Sequence, residues 1–145
     1  MMWLWFYRSN MIISSVYNEV TTKLHCWKLE DIKICLYSSS TVIAQKLMIV
    51  RTNCGNCLPL IDHFLTSKFG PKDDSKSYLN IAEGLGIKVS SILFITDNVT
   101  EANAALNAGY NSAVIYRENN QIPFKTGKTL PKIMKIKTLD DLIFK

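Results

Sequence analysis

The chain has no apolar run long enough to span a bilayer and no segment of disorder-prone composition. Its start, "MMWLWFYRSNMIISS", is strongly apolar, but Arg8, Ser9 and Asn10 interrupt it, and no basic residue precedes the apolar run as in a secretory leader. The expectation is a soluble, intracellular, cytoplasmic protein, with a nuclear location also open. Histidine is scarce, with only His25 and His63, and a single C-x-x-C, Cys54 to Cys57 in "CGNC", has no second pair to complete a zinc site. Cys35 lies inside the strand-like "IKICLY", where a cysteine behaves as a small hydrophobe. "TGKT" at Thr126 to Thr129 lacks the glycine of a phosphate-binding loop, Ile122 standing in its place. "NVT" at Asn98 is a glycosylation acceptor only in a secreted chain.

What is present suits one globular domain: 145 residues, 48% hydrophobic and 10% aromatic, enough for a core that folds alone. The formal charge of +5 gathers near the C-terminus, at Lys125, Lys128, Lys132, Lys135 and Lys137, with few aromatics between. That pattern reads as a solvated tail, and neither a nucleic-acid nor a membrane partner is expected.

Along the chain, helical and strand-like patterns alternate. "SVYNEVTTKLHCWKLED" spaces Val16, Val20, Leu24 and Trp27 as a helix, with Ser15 available as its cap. "IKICLY" is a strand, and "SSSTVIAQKLMI" a hydroxyl cluster entering a helix. "LPLIDHF" suggests a short helix or turn and "FLTSKFG" a short strand. "DDSKSYLNIAEGLGI" is a helix with acids at its start, ending at Gly84 or Gly86. "ILFIT" and "SAVIY" are strands flanking "TEANAALNAG", a small-residue helix closed by Gly109, and "IKTLDDLIF" gives a last strand or turn and a helix. The alternation predicts an α/β fold, a doubly wound parallel sheet.

In such sheets ligands sit beyond the carboxyl ends of the strands. Ser38 and Ser39 follow "ICLY", Asp97 follows "ILFIT", and Lys72 precedes a helix in "GPKDDS". Hydroxyls and helix N-terminal amides hold phosphate oxygens, a lysine offsets their charge, and a carboxylate holds a magnesium that bridges to the same phosphate. A strand-ending serine or aspartate also serves as a plain helix cap, and that alternative stays open for Asp97.

Taken in order, "LYSSSTVIAQKL", "DHF", "GPKDDSKSYLNIAEGLG" and "ILFITDNVTEANAALNAG" resemble the second to fourth motifs of the haloacid dehalogenase superfamily, and more narrowly the enolase-phosphatase (acireductone synthase) family of methionine salvage. The resemblance runs from about Val16 to about Glu118. It implies a Rossmann-like core over residues 15–145 behind a divergent apolar segment, residues 1–14. It implies a magnesium-dependent phosphatase acting on the phosphate ester of a 2,3-diketo-5-methylthiopentyl substrate, enolised on the way to an acireductone. Ser38 and Ser39 match the family's phosphate- and substrate-binding pair. Lys72 matches its catalytic, phosphoryl-stabilising lysine, and Asp97 its magnesium ligand. The expected partner is a small phosphorylated substrate or phosphate; the oligomeric state is not indicated.

The chain departs from the family in one decisive respect: it contains no Asp-x-Asp or Asp-x-Glu, the motif of the family's aspartate nucleophile, and it shows neither the first strand nor the helical cap domain. Ser40 stands where the family prefers glycine, Leu65 where it has aspartate, and Pro71 just before Lys72. In this reading residues 2 to 7 substitute for the missing strand. The same reading allows a truncated product whose complete form is the enzyme, and two further readings compete: a binding module without catalysis that keeps a magnesium and phosphate pocket or pairs with a full-length relative, and a thiol redox protein using Cys54 and Cys57. An active chain without the motif would need another nucleophile, with Asp73, Asp74 and Glu101 as the carboxylates to consider.

Overall fold

The structure is a computed structural model, and it describes residues 13–117 and 132–144. The apolar start, including residues 2 to 7, lies outside them, as do Lys125, Lys128 and the "TGKT" stretch. The chain divides into two compact units, residues 1–68 and 69–145, each taken by itself.

In the first unit, α1 (Asn18–Leu29) leads to β1 (Cys35–Tyr37), α2 (Val42–Val50), a 3-10 turn (Leu58–Leu60) and β2 (His63–Leu65). No strand precedes α1 among the described residues. β1 and β2 run parallel with Leu36 opposite Phe64, and α2 is the crossover that parallel pairing requires. Thr41 begins α2 by accepting the Ala44 N–H on its hydroxyl at 3.2 Å. Trp27, Ile34, Cys57, Leu60 and Leu65 are buried. Asp62 ties the unit together: its carboxylate accepts from Lys28 Nζ and from the Ile34 N–H, both at 2.7 Å.

Two local expectations differ. Ser15 does not cap α1; the helix starts at Asn18 with Tyr17 in the cap position, its carbonyl accepting the Val20 N–H at 2.9 Å, because Asn53 fixes the incoming chain by accepting the Val16 N–H at 2.7 Å and donating to the Val16 carbonyl at 3.0 Å. The strand expected in "FLTSKFG" ends at Leu65, since the Thr66 hydroxyl accepts the Lys68 N–H and turns the chain into a short 3-10 segment, Ser67–Phe69.

In the second unit, β3 (Leu93–Thr96), β4 (Asn111–Ile115) and β5 (Met134–Ile136) form a parallel sheet with β4 in the centre. α3 (Ser75–Leu85) precedes β3, and α4 (Val99–Asn107) crosses from β3 to β4. Ser112, Ala113 and Val114 of β4 are buried, and the alanines of α4, notably Ala102 and Ala105, allow close packing on them. Ser112 meets its hydrogen-bonding need by donating to the Ala102 carbonyl at 3.0 Å. Val99, Ala102, Val114 and Ile133 cluster as a core, joined by Leu106 and Tyr116. Asp74 caps α3, accepting the Lys76 N–H at 2.9 Å, and Gly86 closes the helix in the left-handed conformation, φ 67°. The last expected helix is a single 3-10 turn, Leu139–Asp141. The α/β class with parallel pairing is as the sequence predicts, and Lys132, Lys135 and Lys137 are exposed.

Candidate functional site

The tip of β3 organises the second unit's polar chemistry. Thr96 ends the strand and its hydroxyl donates to Glu101 Oε2 at 2.9 Å, while Thr96 Oγ1 itself accepts the Asn98 N–H at 3.1 Å. Asn98 caps α4, accepting the N–H groups of Thr100 at 2.9 Å and Glu101 at 3.4 Å. Capping therefore falls to Asn98 and not to Asp97. Asp97 is exposed, and its carboxylate has no hydrogen-bond or ion-pair partner among the described residues.

Lys72 reaches the same tip. Its Nζ lies 3.7 Å from Glu101 Oε2, with one third of the lysine side chain and 17% of the glutamate exposed. The loop that carries it is fixed from α3: Tyr78, fully buried, donates its hydroxyl to the Lys72 carbonyl at 2.6 Å, and Ser77 donates to the Pro71 carbonyl at 2.6 Å. Gly70 turns into this loop at φ 122°, where a Cβ would strike the Ser77 hydroxyl. Tyr78 is itself held edge-on by Phe94 of β3 and by Tyr110, with ring centroids 5.0 and 5.5 Å away.

Lys72, Glu101 and Thr96 thus form one cluster, next to Asp97 in sequence. The sequence reading treated Glu101 only as a substitute nucleophile, and its place between Lys72 and Thr96 was missed. The available signal was its position one helical turn beyond Asp97. Asp74 is engaged as the α3 cap, which leaves Asp73 as the exposed acid of the pair; both line an open polar cleft of ≈ 490 Å³ with Thr100, Asn103 and Asn107.

Ser38 and Ser39 belong to the first unit. The Ser38 N–H donates to the Leu65 carbonyl, and its hydroxyl accepts the Ser40 N–H at 3.1 Å, shaping the turn beyond β1. Ser39 is exposed at the same turn. Gln45 supports the loop from α2: its amide nitrogen donates to the carbonyls of Ser40 and Leu65, at 3.1 and 3.0 Å. Its carbonyl oxygen is buried with no partner, so the loop retains one unused acceptor.

A magnesium ion fits this chemistry only in the form the ion usually takes, one or two carboxylates with water and substrate phosphate completing six oxygens. Asp97 supplies an unengaged carboxylate, whereas among the described residues no three of His, Cys, Asp and Glu gather into a cage. The donor set fits a metal shared with a phosphate and does not fit one held by protein alone.

No protein-family model matches the chain. It is 40% identical over 119 residues to enolase-phosphatase E1 of Danio rerio, a match covering 82% of this chain and 46% of that protein. The chain belongs to the enolase-phosphatase family. It spans about half the length of the curated relatives it matches. The structure is similar to that of the UTR4 protein of Saccharomyces cerevisiae, with a TM-score of 0.80 and 26% identity over 97% of this chain and 62% of that one. L-2-haloacid dehalogenase from Xanthobacter autotrophicus shares the fold at a TM-score of 0.59 and 18% identity, over 79% of this chain and 47% of that one. The fold is therefore a Rossmann-like α/β core of the kind seen in haloacid dehalogenases.

Proposed function

We propose that this chain carries the phosphate- and magnesium-binding part of an enolase-phosphatase site, and that hydrolysis needs a carboxylate nucleophile which its sequence does not supply in the family's motif. The observation that carries the reading is the tip of β3, where Asp97 is left unengaged while Asn98 takes the capping role and Lys72 stands over Glu101. Lys72 would offset the charge of a phosphate's oxygens, held at a fixed height by Glu101 and by the Tyr78 anchor on its backbone. Ser38 and Ser39, in the first unit, match the family's phosphate- and substrate-binding pair, and their hydroxyls suit that role by chemistry. Asp97 would hold magnesium, which when bound supplies Lewis-acid stabilisation of the phosphoryl oxygens. The ligand class is a small phosphate ester, with the 2,3-diketo-5-methylthiopentyl ester as the family's substrate.

No Asp-x-Asp or Asp-x-Glu occurs in the sequence, so the covalent first step of an aspartate-dependent phosphatase lacks its usual group. The test is magnesium-dependent phosphate release from a generic phosphate ester and from the diketo substrate by the folded chain, with Asp97→Asn as the control. The expected result is no release. Release that disappears in Asp97→Asn would overturn the binding-only reading and direct attention to Asp73, Asp74 and Glu101 as nucleophiles.

A further inference from the structure

The "CGNC" pair takes no part in the phosphate chemistry, yet its surroundings are built. Thr52 and Gly55 close a tight turn, each N–H donating to the other's carbonyl at 3.2 and 3.0 Å, with Gly55 at φ 90°. The Thr52 hydroxyl accepts the Cys54 N–H at 3.1 Å and lies 3.5 Å from Cys57 Sγ, so one oxygen gathers both cysteines. Both sulfurs also meet the first turn of α1. Cys54 Sγ donates to Asn18 Oδ1 at 3.5 Å, and Cys57 Sγ lies 3.9 Å from Thr21 Oγ1. Asn18 and Thr21 are three residues apart and so share one face of the helix. Both are free cysteines, not joined by a disulfide.

We infer that Cys54 and Cys57 form a thiol–disulfide exchange site for small disulfides of the glutathione class, with Cys54 as the attacking and Cys57 as the resolving thiol. The assignment of roles follows from access: Cys54 is partly exposed, whereas Cys57 is 5% exposed and turned towards Thr52 and Thr21. In the first step Cys54 loses its proton to solvent and its sulfur bonds to one sulfur of the incoming disulfide, whose other sulfur leaves as a thiolate. In the second, Cys57 loses its proton to solvent, its sulfur attacks Cys54 Sγ and the second thiolate is expelled; the two expelled thiolates take up two protons from solvent. The protein dithiol is oxidised by two electrons and the small disulfide is reduced to two thiols. The other cysteines provide internal contrasts. Cys26 is exposed on α1 with no neighbouring thiol in sequence, and Cys35 is half-buried in β1, where burial first and the charge of Asp62 second push its thiol up.

The site is independent of the phosphatase reading. Its test is equilibration of the folded chain in buffers of reduced and oxidised glutathione, quenching by acid and alkylation, and peptide mass analysis. The expected result is an intramolecular Cys54–Cys57 disulfide as the principal product. In Cys57→Ser a glutathione adduct accumulates on Cys54, and in Cys54→Ser the Cys57 thiol remains reduced. Cys57→Ala serves as a second variant in case a serine hydroxyl disturbs the buried position, and must give the same Cys54 adduct. An unbridged pair at the most oxidising buffer would overturn the inference, as would a Cys57 adduct in Cys54→Ser or oxidation confined to Cys26.

Discussion

Replacing Tyr78 with phenylalanine isolates the bond that fixes Lys72. The hydroxyl donates to the Lys72 carbonyl at 2.6 Å, while the ring packs edge-on against Phe94 and Tyr110, contacts that phenylalanine keeps. A neutral hydrogen bond contributes about 0.5–1.5 kcal/mol net, and stranding its partner adds to the loss. Because the Tyr78–Lys72 bond is only part-buried, the carbonyl recovers some of this from water, so the expected loss is about 1.5 kcal/mol. With an m value of about 1–2 kcal/mol per molar urea, the unfolding midpoint should fall by about 1 M. Far-ultraviolet circular dichroism is the appropriate probe, since Trp3, Trp5 and Trp27 all lie before residue 69. A midpoint within about 0.2 M of the parent would refute the reasoning, because it would mean that Lys72 needs no anchor from α3.

Asp62 should make stability depend on pH. Burial alone would raise its carboxyl, but the Lys28 and Ile34 hydrogen bonds and the charges of Lys28 and Lys33 together hold it below the usual carboxylate range. A depressed folded value means that the contribution is fully present above the unfolded value, about pH 4, and is lost as pH falls through the folded one. Asp62→Asn should cost about 2 kcal/mol at pH 7 and show a shallower loss of stability below pH 4, read by urea unfolding at several pH values. Gly70→Ala forces a side chain into φ 122° and against Ser77, and should cost more than about 1 kcal/mol, with Tm lowered by several degrees in a thermal melt. Ser112→Ala removes the hydroxyl's bond to the Ala102 carbonyl, inside α4, and leaves a small void against β4; it should cost about 1 kcal/mol by urea unfolding, whereas the exposed Ser39→Ala should leave stability unchanged.

Much of the second unit was legible because its signals are local. The apolar run of β3, the alanines of α4 and the Asp74 and Gly86 ends of α3 act within one turn of the chain. The first unit was harder where distant residues decide. Asn53 sets the entry to α1 from 37 residues away, and no pattern near Ser15 carries that information. At the tip of β3, Asp97 and Asn98 are both good caps by composition, and only geometry assigns the task to Asn98. The link from Glu101 to Lys72 is tertiary and was equally hidden, although the spacing of Glu101 from Asp97 placed it on the right turn of α4.

The central claim is that Asp97 and Lys72 serve magnesium and phosphate together. Titration of inorganic phosphate into the folded chain by calorimetry, with and without magnesium, tests it most directly. The account predicts binding that strengthens at least tenfold with magnesium, loses that dependence in Asp97→Asn and is weakened in Lys72→Ala. Phosphate binding that ignores magnesium, or that survives unchanged in Asp97→Asn, would contradict it.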